Sequence, residues 1–248
     1  SIALIIGTLV VFQQINFAKD RPLGYNQNNL IFLRISNEAH QSFEAIKNEL
    51  KSKGLVEEMS QSSDPPIGIG STTTGIDWDG RDKSQSLEVP FFGVSKDYGA
   101  TINWNVIDGR DFSDEFDDVG KSFIINQAAA ELFEKGAVGT MTRWDVDPFK
   151  VIGVVDNMIV GSPYDQAQPM FYFLDNRQNR FVNLKLSGTK SITESISGIE
   201  SVFAKFDPEN TFDYEFVDEA YATKFSSLER LSKLINIFAT LAILISCL

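Results

Sequence analysis

Two uncharged apolar runs, one near each end of the chain, constrain the reading more than any other feature. The chain opens with SIALIIGTLVVFQQINF, where Ile2 to Phe12 carries no charge and Gln13, Gln14 and Asn16 form a polar shoulder before Lys19 and Arg21. At the other end, LINIFATLAILISCL follows Glu229, Arg230 and Lys233 and carries no charge through Leu248. A membrane-spanning helix needs about 20 apolar residues, so each run is short for a span. A secretory signal peptide would account for the first run alone, and the basic start and small-residue cleavage pattern are missing. Buried core helices would account for each run separately, whereas two partial transmembrane helices account for both together. On that reading residues 1–17 are the outer part of a first transmembrane helix, and residues 220–248 form a helix leading into a second. The pairs Lys19/Arg21 and Arg230/Lys233 by themselves favour a cytoplasmic domain on the positive-inside rule.

The middle of the chain has the composition of a folded protein. Among 248 residues, 43% are hydrophobic and 23% charged, enough for one large domain or two small ones. Lys and Arg number 22 against 34 Asp and Glu, a formal charge of -12 that repels phosphate backbones and excludes nucleic acid as a partner. The single cysteine, Cys247, lies in the second apolar run, which rules out an internal disulfide and a cysteine-based metal site.

Residue patterning gives an α+β fold. The segment Asn29 to Ser36 (NLIFLRIS) reads as a strand, Phe43, Ile46 and Leu50 trace a helix ending at Gly54, and VEEMSQSS is a short strand. The order recurs later: Phe181 to Ser187 is a strand, Ile192 to Phe206 carries a helical stripe stopped by Asp207-Pro208, and Phe212 to Glu219 reads as a strand. Residues 18–64 and 181–219 therefore form a membrane-proximal subdomain of two β-α-β units. Residues 65–180 form an inserted, mainly β, distal subdomain, with strands in LEVPFFGV, SFIIN and FKVIGVV and a helix over Gln127 to Glu134. After Glu219, the apolar positions Tyr221, Phe225, Leu228, Leu231 and Leu234, uninterrupted by Pro or Gly, predict one continuous helix running into the membrane segment.

No catalytic constellation emerges. Gly120-Lys121-Ser122 resembles the end of a phosphate-binding loop, but Glu115 occupies the position of the first glycine, so the triplet reads as a turn. His40 is the only histidine and reads as a solvated loop residue, which leaves no His-based zinc site and no Ser-His-Asp triad. The acidic run DFSDEFDD lacks the glycine and terminal glutamate of a calcium loop. Trp78, Trp104 and Trp144 read as packing residues rather than a ligand platform. The expectation is a non-enzymatic domain with no metal or cofactor of its own.

An ordered set of segments resembles the MacB-like periplasmic core domain of ABC transporter permeases, in the FtsX-like permease family, Bacteroidetes-type members above all. The set comprises FQQINFAKDRPLGYNQNNLIFLRI (Phe12 to Ile35), GRDFS (Gly109 to Ser113), FIINQAAAELF (Phe123 to Phe133), Val138-Gly139 with FKVIGVVDN (Phe149 to Asn157), and GSPYDQAQPMFYF. The stretch from Tyr214 onward resembles the lead into the family's second helix. The motif positions Gly109, Arg110, Asp111, Phe112, Asn126, Gly139, Gly153, Pro163 and Pro169 carry structural roles on this reading, with Asn126 a helix cap. The family's more usual VVKDFH stretch is VVDNMI here (Val154 to Ile159), so contacts assigned to that loop elsewhere do not transfer. The resemblance implies a domain in the periplasm, anchored in the bacterial inner membrane. It also implies a permease dimer driven by a cytoplasmic ABC ATPase that uses the ATP, and a possible periplasmic partner protein. In such systems ATP hydrolysis is coupled to periplasmic conformational change for export, for lipoprotein or peptide handling, or for partner activation. The alternative is the extracytoplasmic ligand-sensing domain of a two-helix signalling receptor.

Overall fold

The computed structural model describes residues 2–84, 86–175 and 179–226, together with Arg230, Leu234, Ile237, Phe238, Thr240 and Leu241. The first part of the chain forms α1 (Ile2–Asp20), β1 (Leu30–Arg34), α2 (Asn37–Gln41), α3 (Phe43–Ser52) and β2 (Val56–Ser62). No helix among the described residues is long and apolar enough to cross a membrane. Local chemistry explains the boundaries. Ser36 caps α2 by accepting from the Ala39 N–H at 3.0 Å. In α3 the helical spacing of Phe43, Ile46 and Leu50 puts all three in the core.

The central segment supplies β3 (Thr72–Thr73), β4 (Ile76–Trp78), β5 (Val89–Val94), α4 (Tyr98–Ile102), β6 (Val106–Gly109) and β7 (Ser122–Asn126). These are followed by α5 (Gln127–Ala130), β8 (Met141–Trp144), β9 (Asp147–Val155) and β10 (Phe171–Leu174). The chain then returns through β11 (Phe181–Leu186), α6 (Ile192–Phe206), β12 (Tyr214–Phe216) and α7 (Val217–Thr223). A reciprocal capping box opens α6: the Ser191 hydroxyl accepts from the Glu194 N–H while the Glu194 carboxylate accepts from the Ser191 N–H.

Both strand-helix-strand units are present, and their strands interleave. All twelve strands belong to one sheet, with the path β12-β1-β11-β2-β5-β10-β7-β9-β8-β4; β3 pairs with β5 and β6 with β9. β1 sits antiparallel between β12 and β11, and β11 lies antiparallel against β2. Each unit therefore splits open to admit a strand of the other, the split β-α-β arrangement. On one face α3 and α6 close a core containing Ile31, Ile46, Leu50, Met59, Leu184 and Ile199. Each fully buried aliphatic side chain there contributes about 1.5–3 kcal/mol. On the other face a second core joins Leu30 and Phe32 of β1 to Phe92, Tyr98 and Tyr172.

The sheet continues into the central segment through one registered pair, Ser62 opposite Val94. Flanking bonds reinforce it, from Ser63 N–H to the Gly93 carbonyl (2.8 Å) and from Ser95 N–H to the Gln61 carbonyl (2.9 Å). The buried Lys47 of α3 adds an ion pair on each side, to the half-buried carboxylates of Glu58 at 2.8 Å and Asp97 at 2.5 Å.

Three elements differ from the sequence expectation. The helix expected over Gln127 to Glu134 stops at Ala130, after which turns bring Phe133 into the core beside Trp78 at 4.4 Å between ring centroids. The strand expected to reach Glu219 ends at Phe216, because Val217 starts α7, is fully buried, and is followed by Asp218 and Glu219 in the helix's first turn. The helix expected to run unbroken from Glu219 ends at Thr223, with Lys224 as its C-cap and a turn before helical structure resumes at Ser226. Leu228 and Leu231 lie outside the described residues.

Candidate functional site

The break after α7 is where the two ends of the chain meet one loop. Residues 156–170 run between β9 and β10 and are gripped from both sides. From the end of α1, Arg21 donates through Nη1 to the carbonyl oxygens of Asp165 (2.6 Å) and Pro163 (3.3 Å). From the end of α7, Lys224 donates through Nζ to the carbonyls of Val160 (2.6 Å) and Gly161 (2.7 Å), and to that of Ile67. An ammonium has three protons, and here each has a carbonyl acceptor. Burial lowers the Lys224 pKa.

Apolar packing completes the junction. Ile15 and Ala18 of α1, Ile159 of the loop, and Tyr221 and Phe225 form one buried cluster. The Phe225 ring meets Tyr221 at 5.4 Å and Tyr164 at 5.7 Å, with the Lys19 ammonium 5.6 Å from its centroid. The Tyr221 hydroxyl is buried without a hydrogen bond. Burial raises the Tyr221 pKa. The chain leaving α1 also holds the loop through its backbone, Ile159 N–H donating to the Leu23 carbonyl at 3.0 Å. Gly24, at φ +78°, lies so close to the loop that a Cβ there would fall 2.2 Å from the Asn157 carbonyl oxygen. The Asn157 side chain points away and accepts from the Ala128 N–H of α5 at 2.8 Å. A cavity of about 470 Å³ opens between α1 and the loop, with Phe17, Arg21 and Tyr164 in its walls.

Pro163 and Pro169 belong to the gripped loop, and the other motif positions lie in two groups. Gly109 of β6 and Gly153 of β9 face each other in register, and a Cβ on either would collide with backbone, at 2.3 Å from the Ile152 oxygen or 2.2 Å from the Arg110 oxygen. Arg110 binds Asp118 through both terminal nitrogens (2.7 and 2.8 Å) and lies over the Phe116 ring at 3.8 Å. Asp111 accepts from Trp104 Nε1 and from the Phe112 N–H, both at 2.8 Å, and Phe112 is core. Burial raises the Asp111 pKa despite these bonds. Burial also acts to raise that of Asp118, but the hydrogen bonds from Arg110 and Ser122 outweigh it and hold the carboxyl below its ordinary range.

The second group surrounds α5. Asn126 accepts from the N–H groups of Ala129 (3.0 Å) and Met170 (2.9 Å) and donates to the Gln168 carbonyl (2.8 Å), tying α5 to the end of the 156–170 loop. Pro169 is half-buried between those last two partners, and Pro163 is buried with its carbonyl on Arg21. Gly139 donates its N–H to the Val151 carbonyl at 2.8 Å.

The remaining candidates separate from the junction. His40 is a helical residue of α2 rather than a loop residue, with its Nδ1 3.0 Å from Gln61 Nε2. Trp78 and Trp104 are buried in different cores, and Trp144 is half-buried against Phe91 at 4.2 Å. Among the described residues no group of His, Cys, Asp and Glu side chains is placed to hold a metal ion. Cys247 lies outside the described residues.

The fold agrees with what comparison finds. The profile of the MacB-like periplasmic core domain family matches residues 1–211. The chain belongs to that family. Solved structures share the fold. The periplasmic region of MacB from Actinobacillus actinomycetemcomitans aligns with a TM-score of 0.55 at 15% identity, over 84% of this chain and 97% of that one. The extracellular domain of the noncanonic ABC-type transporter YknZ from Gram-positive bacteria gives 0.52 at 18% identity, over 75% and 98%. A domain of a putative permease from Porphyromonas gingivalis gives 0.51 at 11% identity, over 79% and 98%. None of the curated proteins compared matches the chain.

As a MacB-like domain, the chain is the extracytoplasmic part of an ABC transporter permease, a family defined by membrane association and a cytoplasmic ATPase rather than by catalysis in this domain. Sequence reasoning does not single out Lys224, although a signal exists. Three and four positions away on either side stand Ala220, Tyr221, Ser227 and Leu228, so the lysine has no carboxylate partner at helical spacing.

Proposed function

We propose that the domain carries motion between the membrane helices and the extracytoplasmic face, coupling cytoplasmic ATP hydrolysis to conformational change outside the membrane. The observation that carries this reading is the Lys224 ammonium on three carbonyls of two separate segments, beside Arg21 on the same loop. The chain leaving α1 and the chain leaving α7 thereby both grip residues 156–170, and Asn126, bound to the far end of that loop, passes its position to α5 and β7. A displacement of either terminal helix reaches the sheet through hydrogen bonds rather than through slack chain.

On this reading the domain sits in the periplasm, anchored in the bacterial inner membrane by a first helix that residues 1–17 belong to and a second that residues 220–248 lead into. Residues 18–64 with 181–219 form the membrane-proximal body, residues 65–180 the distal one, and the motif residues from Gly109 to Pro169 are structural. The permease works as a dimer with a periplasmic partner and performs no chemistry of its own. The domain binds no cofactor, since the ATP is consumed by the cytoplasmic ATPase.

The test uses the intact permease reconstituted with its ATPase, carrying spin labels at Gln14→Cys and Leu132→Cys. ATP should change the distance between the labels, and Lys224→Gln should abolish that change while ATP hydrolysis continues. A nucleotide-driven distance change that survives Lys224→Gln would refute the coupling role.

A further inference from the structure

The two ends of the sheet are treated differently. At one end, the free edge of β4 is covered: Arg81 donates through Nη1 to the Ile76 carbonyl (2.8 Å), and its guanidinium lies 5.8 Å from the Trp78 ring centroid. Such a side chain blunts an edge that would otherwise accept another strand. At the other end β12 has β1 as its only strand neighbour among the described residues.

The surface beside β12 has two chemistries on its two faces. Phe212, Tyr214 and Phe216 share the face of α6 and form a ring-to-ring strip, with centroid distances of 5.4 Å (Phe203 to Phe212), 5.3 Å (Phe212 to Tyr214) and 5.7 Å (Tyr214 to Phe216). All three strip rings are half-buried. A cavity of about 380 Å³ opens at the start of this strip, walled by Leu33, Phe203, Ala204 and Phe212 with Arg34 and Asp207. Glu215, in register with Phe32, lies on the opposite face and is exposed, as is Asp213 just before the strand. From Asp207 to Glu219 the sequence DPENTFDYEFVDE contains six carboxylates and no Lys or Arg.

We propose that the free edge of β12 docks an extended segment of a partner protein in which apolar and basic residues alternate. Side chains of an added strand alternate between faces, so its apolar residues meet the aromatic strip and enter the cavity while its basic residues meet Asp213 and Glu215. Main-chain hydrogen bonds to the edge hold the segment, and the cavity selects the side chain placed over it. A second copy of this chain does not fit, because edge-to-edge pairing would set the same carboxylates against one another.

The experiment is a titration of the chain, in non-ionic detergent, with a labelled peptide alternating lysine and valine around one phenylalanine, read by fluorescence anisotropy. Saturable binding is expected, weakening as salt is raised to about 0.5 M, with no binding of the matching glutamate peptide. Glu215→Lys and Ala204→Trp, both at exposed positions, should each weaken binding by about tenfold or more. The proposal is overturned if the folded chain fails to bind the lysine peptide, if both peptides bind alike, or if neither substitution changes the affinity. Sedimentation showing self-association that Glu215→Lys abolishes would overturn it in favour of a second copy.

Discussion

Gly24 lies against Asn157 with no room for a side chain: a Cβ would sit 2.2 Å from the Asn157 carbonyl oxygen, on a backbone already at φ +78°. The contact joins the segment leaving the first helix to the loop that the last helix also holds. Gly24→Ala must therefore strain the backbone and push the loop away. We expect a loss of about 2 kcal/mol in urea unfolding, with amide shifts concentrated in residues 156–161. A variant as stable as the parent would show that the two segments do not depend on each other.

Lys224→Met keeps the aliphatic stem and removes the donor from three carbonyls. Buried acceptors left without partners cost about 1–3 kcal/mol. Chemical denaturation should show a loss in that range, and Lys224→Arg should recover only part of it, since a planar fork does not match three acceptors around a point charge. Full recovery by arginine would mean that the charge alone matters.

Asp111 and Asp118 should respond to pH in opposite directions. The raised pKa of Asp111 means that the fold favours its protonated form, so its contribution is complete below the reference value of 3.8 and is lost as pH rises through the raised value. The lowered pKa of Asp118 gives the reverse, stability present above 3.8 and lost as pH falls through the depressed value. Asp111→Asn removes the titrating group but keeps an acceptor for only one of its two donors, Trp104 Nε1 and the Phe112 N–H, and should remove the fall in stability as pH rises above 3.8. Asp118→Asn loses the paired bonds to Arg110, should cost about 2 kcal/mol at neutral pH, and should flatten the acid limb of the profile. Urea midpoints measured from neutral to acid pH check both; equal slopes for the two variants would contradict the assignment.

Much of the architecture is written in local patterns. The apolar spacing of Phe43, Ile46 and Leu50 and the stripe ending at Asp207-Pro208 mark α3 and α6, and SFIIN is β7 residue for residue. Local pattern fails where a neighbour in space decides. The aromatic-acidic alternation from Phe212 reads equally as strand through Val217, yet burial of Val217 against the core turns the chain into α7. The alanines of QAAAELFE favour helix, but Phe133 must reach Trp78 and the helix stops early. Interleaving of the two strand-helix-strand units is invisible for the same reason: β1 pairs with β11, about 150 residues later, and no periodicity records a register that distant.

The junction is less legible still. Lys224 takes its acceptors from Ile67, Val160 and Gly161, far away in the chain, and backbone carbonyls have no sequence signature. The altered stretch from Val154 to Ile159 marks the loop as unusual without saying what holds it. Its Asn157 and Ile159 turn out to meet the segment after α1, through Gly24 and Leu23.

The most direct test of coupling through this junction is hydrogen–deuterium exchange of residues 156–170 in the intact permease, with and without ATP. The account predicts a nucleotide-dependent change in protection of that segment in the parent, and its loss in Lys224→Gln while ATP hydrolysis continues. Exchange in residues 156–170 that ignores nucleotide in the parent, or that responds equally in the variant, would contradict it.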